Sequence, residues 1–278
     1  MSQFILRVYQ WIFARRLFRK FNLALFQMSL QGLGILNYQN SKVSGEFYFI
    51  ESVLPILIQS EKPVFYDVGA NVGKYSASLA KRFPSSVIHA FEPHPKNFAR
   101  LNAVHYPCLL KSYNVAIGAS QGELTLYDRA DRDGSSHASL HEAVISEIHK
   151  KEVVSMTVPV ETLDQLSERE NITYIDFIKI DTEGNELAVL QGTSSFLKNG
   201  NVGCIHFEFN EMNIISRCFF RDFRRLLEGY AFFRLLPDGL LSLNNSPLFT
   251  ELFAFQNIVA IPEHLLAKLD TKLRKHIN

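Results

Sequence analysis

The residues best placed to do chemistry are acids that close short apolar runs and are followed by glycines. Val64-Phe65-Tyr66-Asp67-Val68 ends on such an acid and leads into Gly69-Ala70-Asn71-Val72-Gly73, after which helical spacing begins. The pattern predicts a strand, a tight turn and a helix N-terminus. Glycines there let backbone N–H groups approach a bound molecule, and the helix end adds partial positive charge. Nineteen residues separate Asp67 from a second apolar run, Val87-Ile88-His89-Ala90-Phe91, which ends at Glu92. An acid at the end of the second strand of a βαβ unit is placed to accept both hydroxyls of a ribose.

Three nucleoside-type ligands compete for this unit. A phosphate-cradling P-loop needs four residues between its glycines and Ser or Thr after the lysine, whereas Gly69 and Gly73 enclose three and Tyr75 follows Lys74. A dinucleotide site wants a second glycine where Asn71 stands and a third where Lys74 stands. What remains is an adenosine joined to an amino acid without phosphate, with Asp67 helping to hold an ammonium or sulfonium. S-adenosylmethionine fits that description.

Asp67-Val-Gly-Ala-Asn-Val-Gly73, Ala90-Phe-Glu-Pro-His-Pro-Lys-Asn-Phe98, Asn114-Val-Ala-Ile-Gly118, Val160-Glu-Thr-Leu-Asp164 and Ile178-Lys-Ile-Asp-Thr-Glu-Gly-Asn-Glu186 occur in that order. Together they resemble the FkbM-type S-adenosylmethionine-dependent methyltransferases, over residues 45–262. The resemblance implies an α/β, Rossmann-like class I fold with a seven-stranded, mostly parallel sheet whose last strand is antiparallel. It also implies methylation of a hydroxyl on a sugar, glycolipid or secondary metabolite. On this reading Asp67, Gly69, Asn71, Gly73 and Glu92 bind the donor, and Asn114 lies near the adenine.

The acceptor side is read from two later strands. Residues 174–180 deliver Asp181 and Glu183 at a carboxyl end, where ligands of open α/β sheets bind. In residues 202–210, strand alternation puts His206, Glu208 and Asn210 on one face. Asp181, Glu183 and Glu208 are therefore expected to converge beside the methyl donor. His137, in the polar loop of residues 131–139, is a further acceptor-side candidate, ahead of His141. A sugar hydroxyl is a poor nucleophile, so a carboxylate or histidine takes its proton, or a cation such as Mg²⁺ held by Asp181, Glu208 and Asn210 lowers its pKa. The competing structural role has these acids capping helices or binding Lys179. Two other functions stay open: an NAD(P)-dependent oxidoreductase, and a non-catalytic nucleoside-binding scaffold.

The elements that must position these groups follow from periodicity. Helices are expected over 47–59, after Gly73 as far as Pro84, over 97–105 and over 211–227. Strands are expected over 109–115, 230–236 and 253–261, with a charged helix over 263–275. Two strands joined by a loop interrupt the alternation between residues 118 and 160. A chain of 278 residues with 47% hydrophobic composition suffices for one large domain, here 45–278, plus an extension over 1–44. Net charge +1 gives no global reason to expect nucleic acid. Cys108, Cys204 and Cys218 lack metal-ligand spacing, which suggests reduced thiols and a cytoplasmic chain.

Residues 1–30 depart from the rest: Arg7, Arg15, Arg16, Arg19 and Lys20 give +5 with no acid, among closely spaced aromatic and aliphatic residues. No run is long and clean enough to span a bilayer. Two readings stay open. These helices pack on the catalytic domain, cover substrate or form a homodimer face, or they form a basic amphipathic anchor on the inner face of an anionic membrane.

Overall fold

The computed structural model describes residues 3–131, 134–135 and 137–269. Its strands are β1 (Val64–Val68), β2 (Val87–Phe91), β3 (Leu109–Tyr113), β4 (Ala116–Ile117), β5 (Gly122–Arg129), β6 (Val153–Glu161), β7 (Ile175–Ile180), β8 (Val202–Phe209), β9 (Tyr230–Leu236), β10 (Gly239–Ser242) and β11 (Gln256–Pro262). The main sheet has eight strands in the order β10-β9-β11-β8-β7-β1-β2-β3. β3, β2, β1, β7 and β8 run parallel, and β11 inserts antiparallel between β8 and β9. This is the expected Rossmann-like topology, with the sheet order reversing between β1 and β7.

The strand count is corrected from seven to eight. After β9 the dipeptide Pro237-Asp238 reverses the chain, and β10 returns antiparallel with Gly239 opposite Leu236. Four residues are too few for alternation to announce a strand. The expected helix over 211–227 is also two, Met212–Ile215 and Phe220–Leu226. Asp222 accepts from Phe219 N (2.9 Å), while Glu251 accepts from Phe220 N (2.8 Å) and Arg221 N (3.0 Å), so a second N-terminus is capped there. β3 stops at Tyr113, short of the expected 115, because the chain turns at Asn114 and β4 joins another sheet. That sheet, β4-β6-β5, has one strand more than expected. The C-terminal segment is a 3₁₀ helix over Glu263–Leu269, and the rest of the expected 263–275 helix lies outside the described residues.

Helices cover both faces of the main sheet, which explains why β7 is buried along its whole length. One core gathers Phe49, Leu54, Phe65, Leu79, Phe177 and Val259, the other Tyr66, Val68, Ile178, Ile180, Phe207 and Phe220. Each such fully buried side chain contributes about 1.5–3 kcal/mol, before conformational entropy is subtracted. The consequence for the site is rigidity under the carboxyl ends of β1, β2, β7 and β8.

The N-terminal helices Gln3–Phe13 and Arg19–Gly32 form a hairpin with no buried residue in either helix. The hairpin is tied to itself, by a Phe13, Phe18 and Phe21 ring cluster and by Asn22 Nδ2 donating to Phe13 O (2.9 Å). No helix among the described residues is long and apolar enough to cross a membrane.

Candidate active site

The glycine turn is assembled on the end of β2. Gly69 N and Ala70 N both donate to Phe91 O (3.0 and 2.9 Å), which carries the chain across to Glu92. Glu92 then accepts Asn71 N on Oε2 and His94 N on Oε1, each at 2.8 Å. Gly69 sits at φ +82°, and a Cβ there would stand 1.8 Å from the Asp181 carbonyl oxygen, so the turn and the end of β7 touch backbone to backbone. Gly73 caps the helix Lys74–Arg82. Asp67 is buried and accepts Ser76 Oγ from the first turn of that helix. Asn114 does not line the pocket; its Nδ2 donates to Glu92 O and Pro93 O, both at 2.9 Å, and so steadies the acid from behind.

Burial pushes Glu92 up to about 7 and Asp67 up to about 6, despite the hydrogen bonds that favour their anions. A carboxyl whose pKa is raised on folding stabilises the native state when protonated, and that contribution is lost as pH rises through the folded value. The ligand-free chain should therefore lose stability between about pH 4 and about pH 7. If Glu92 receives the ribose hydroxyls of a nucleoside ligand, that ligand's affinity should rise over the upper part of the window, because the anion is the stronger acceptor. Urea titrations and calorimetry across pH check both signs, and Glu92→Gln should flatten the second.

At the end of β7 the acids gather round a lysine. Lys179 is 2% exposed, with Nζ 3.7 Å from Glu208 Oε1, 3.8 Å from Glu46 Oε1 and 3.9 Å from Asp181 Oδ2, above the Tyr75 ring. Burial alone would lower its pKa, but Asp181, Glu208 and Glu46 outweigh that and raise it. Burial, then the Asp181 charge, pushes Glu208 well up. Asp181 and Glu208 meet at Lys179, whereas the Glu183 side chain meets His137 (Nδ1 to Oε1, 3.2 Å). Burial followed by Asp181 likewise raises Glu183.

The residues expected to hold a cation have partners within the chain. Asp181 and Glu208 face the chain's own ammonium, and Asn210 Oδ1 accepts Met212 N (3.0 Å) to cap a turn. Among the described residues, the group whose ligating atoms come close enough to share a metal is His137, His149 and Glu183, all within 4.8 Å of one another. Two imidazoles and a carboxylate suit a zinc-like ion better than Mg²⁺.

Two hollows meet at this point. A slot is lined by Glu92, Pro93, Asn97, Ala116, Leu126 and Glu183, and a wider cleft of about 720 Å³ by Tyr38, Glu46, Phe47, Tyr75, Lys179 and Glu208. Gly69, Asn71 and Asp181 line both. Sequence reasoning missed three residues that build the walls. Glu46 belongs to a segment read only as connector and helix start. Glu186 Oε1 accepts Thr182 N, Thr182 Oγ1 and Gly184 N (3.0, 3.1 and 3.0 Å), which fixes the loop carrying Glu183; its signal was its place in the Ile178 to Glu186 motif. Asp128, at the end of β5, accepts Gly134 N (2.9 Å) and Ser135 N (3.1 Å) and so holds the loop over the slot. His141 backs Gly184.

The profile described as the methyltransferase FkbM domain matches residues 67–233. The hexuronic acid methyltransferase AglP of Haloferax volcanii is 26% identical over 155 residues, 54% of this chain and 59% of that protein. Methyltransferase 1 of Beauveria bassiana is 25% identical over 158 residues, 52% of this chain and 64% of that one. The match thus spans about six tenths of the length of these curated relatives. Among solved structures, methyltransferase FkbM of Methylobacillus flagellatus aligns with TM-score 0.46 and 12% identity, over 77% of this chain and 47% of that one. With the profile covering more than half of its length, and the glycine turn, Glu92 and the β7 acids all inside the matched segment, the chain belongs to the FkbM methyltransferase family.

Proposed function

We propose that the protein is an S-adenosylmethionine-dependent O-methyltransferase acting on a hydroxyl of a sugar, glycolipid or related metabolite. The observation that carries this reading is the junction at Gly69, Asn71 and Asp181, where the slot closed by Glu92 opens into the wider cleft. S-adenosylmethionine, when bound, supplies an electrophilic methyl group on a sulfonium. Glu92 offers acceptors to the ribose hydroxyls, and Asp67 supplies negative charge beneath the turn for the cationic end. The cleft is of a size suited to a sugar-like acceptor and carries aromatic faces and acids for it. Asp181 stands where both ligands would meet and takes the acceptor proton. Glu208, pushed toward its neutral form, donates a hydrogen bond to a neighbouring hydroxyl, while Glu183 and His137 form a second proton-handling pair on the slot side. The hexuronic acid activity of the Haloferax relative supports a carbohydrate acceptor.

A thermal shift series with S-adenosylmethionine, its demethylated product and NAD(P)⁺ tests the donor. The first two are expected to raise Tm and the dinucleotides to leave it unchanged; the reverse would make the chain an oxidoreductase. Labelled methyl transfer into sugar and glycolipid extracts tests the acceptor, and donor binding without turnover on any extract would favour the scaffold.

A further inference from the structure

We propose that the N-terminal hairpin docks on an anionic lipid bilayer, lying in its interface rather than crossing it. In Gln3–Phe13 the polar residues Gln3, Arg7 and Gln10 fall on one strip, and apolar residues fill the remaining circumference. Trp11 is 73% exposed and Leu17 is 86% exposed, with Ile5, Leu6, Phe26 and Met28 also open to solvent. Keeping so many large apolar side chains in water is unfavourable, and the aromatic cluster inside the hairpin covers few of them. A second copy of this chain could cover apolar surface but would bring five more cations against the first five, with no acid in residues 1–30 to answer them. An anionic lipid surface satisfies both requirements at once, since acyl chains take the apolar side chains and headgroups take the cations.

The segment directly after the hairpin is held on the catalytic domain. Gly34, at φ +81°, lies against the Leu235 carbonyl, where a Cβ would come within 2.6 Å. Leu36 N donates to Phe255 O (2.8 Å), and Arg234 Nη1 donates to Leu33 O (3.2 Å). A few residues further on, Tyr38, Gln39 and Asn40 line the wide cleft. Docking therefore brings the mouth of that cleft close to the bilayer.

Trp11 is the chain's single tryptophan, so its emission reports the hairpin alone. The full-length chain is titrated with vesicles of phosphatidylcholine, with and without phosphatidylglycerol. A blue shift and co-sedimentation are expected with the anionic vesicles, weakening as salt rises, and little of either with the neutral ones. Arg15→Gln with Arg16→Gln should weaken partitioning about twenty-fivefold, at roughly a factor of five per cation. Leu17→Ser, at the most exposed position, should weaken it without touching charge. Unchanged emission and no sedimentation with anionic vesicles would overturn the proposal. So would a lipid-free dimer with Trp11 already blue-shifted and no vesicle binding. These readouts require no methyl transfer, so they stand or fall separately from the function proposed above.

Discussion

Asp181→Asn is expected to lower kcat by a factor of about 10² to 10⁴ while leaving the donor dissociation constant within about threefold. The substitution keeps the shape of the side chain and removes its ability to accept a proton. Its side chain is 38% exposed, so no large desolvation or packing change accompanies the exchange. Its backbone contributions, Asp181 N to Val68 O at 2.9 Å and the carbonyl against Gly69, are retained. Initial rates on whichever extract fraction accepts the label, with calorimetry of the demethylated donor as a control on folding and binding, read the two quantities apart. Normal turnover in this variant would remove Asp181 as the base. The role would then pass to the His137 and Glu183 pair, and His137→Gln would become the deciding variant.

Lys179→Met should cost about 3–5 kcal/mol of unfolding free energy, the range found when one partner of a buried ion pair is deleted. The ammonium faces three carboxylates, none within hydrogen-bond distance, so its worth lies in charge balance rather than in any single bond. Without it, Glu46, Asp181 and Glu208 repel one another around an apolar stem. The folded-state pKa of Glu208, already pushed well up by burial and the Asp181 charge, would rise further above its unfolded value, so the lost stability should return on acidification and be greatest at neutral pH and above. Urea denaturation at about pH 5 and about pH 8 reads this difference. Wild-type stability at both values would show that the cluster does not depend on its cation.

Much of the fold was legible because its strands advertise themselves. β1, β2, β7 and β8 are short apolar runs with an acid at or beside their carboxyl end, and burial on both faces makes them nearly continuous rather than alternating. Asp67, Glu92, Asp181 and Glu208 were found for the same reason, since topology fixes where the end of a parallel strand must lie. What stayed hidden depends on contacts between distant parts of the chain. Glu46 has no local feature that announces Lys179 as its partner. Asp128 reads as a strand residue until the loop of Gly134 and Ser135 folds back on it. The break between Met212–Ile215 and Phe220–Leu226 depends on Glu251, which arrives from after β10. The meeting of Glu183 with His137 was not legible either, because it depends on a positive φ of 54° at Glu183, a backbone state that spacing alone does not reveal.

Glu46 and the stretch from Tyr38 to Ser44 lie upstream of the segment shared with the FkbM family, yet they form one side of the wider cleft. The wider cleft thus draws on this upstream stretch as well as on Tyr75, Lys179, Asp181 and Glu208 from the matched segment. A graft exchanging only the upstream stretch between relatives would be the direct way to trade one acceptor for another, since it leaves the glycine turn and Glu92 intact.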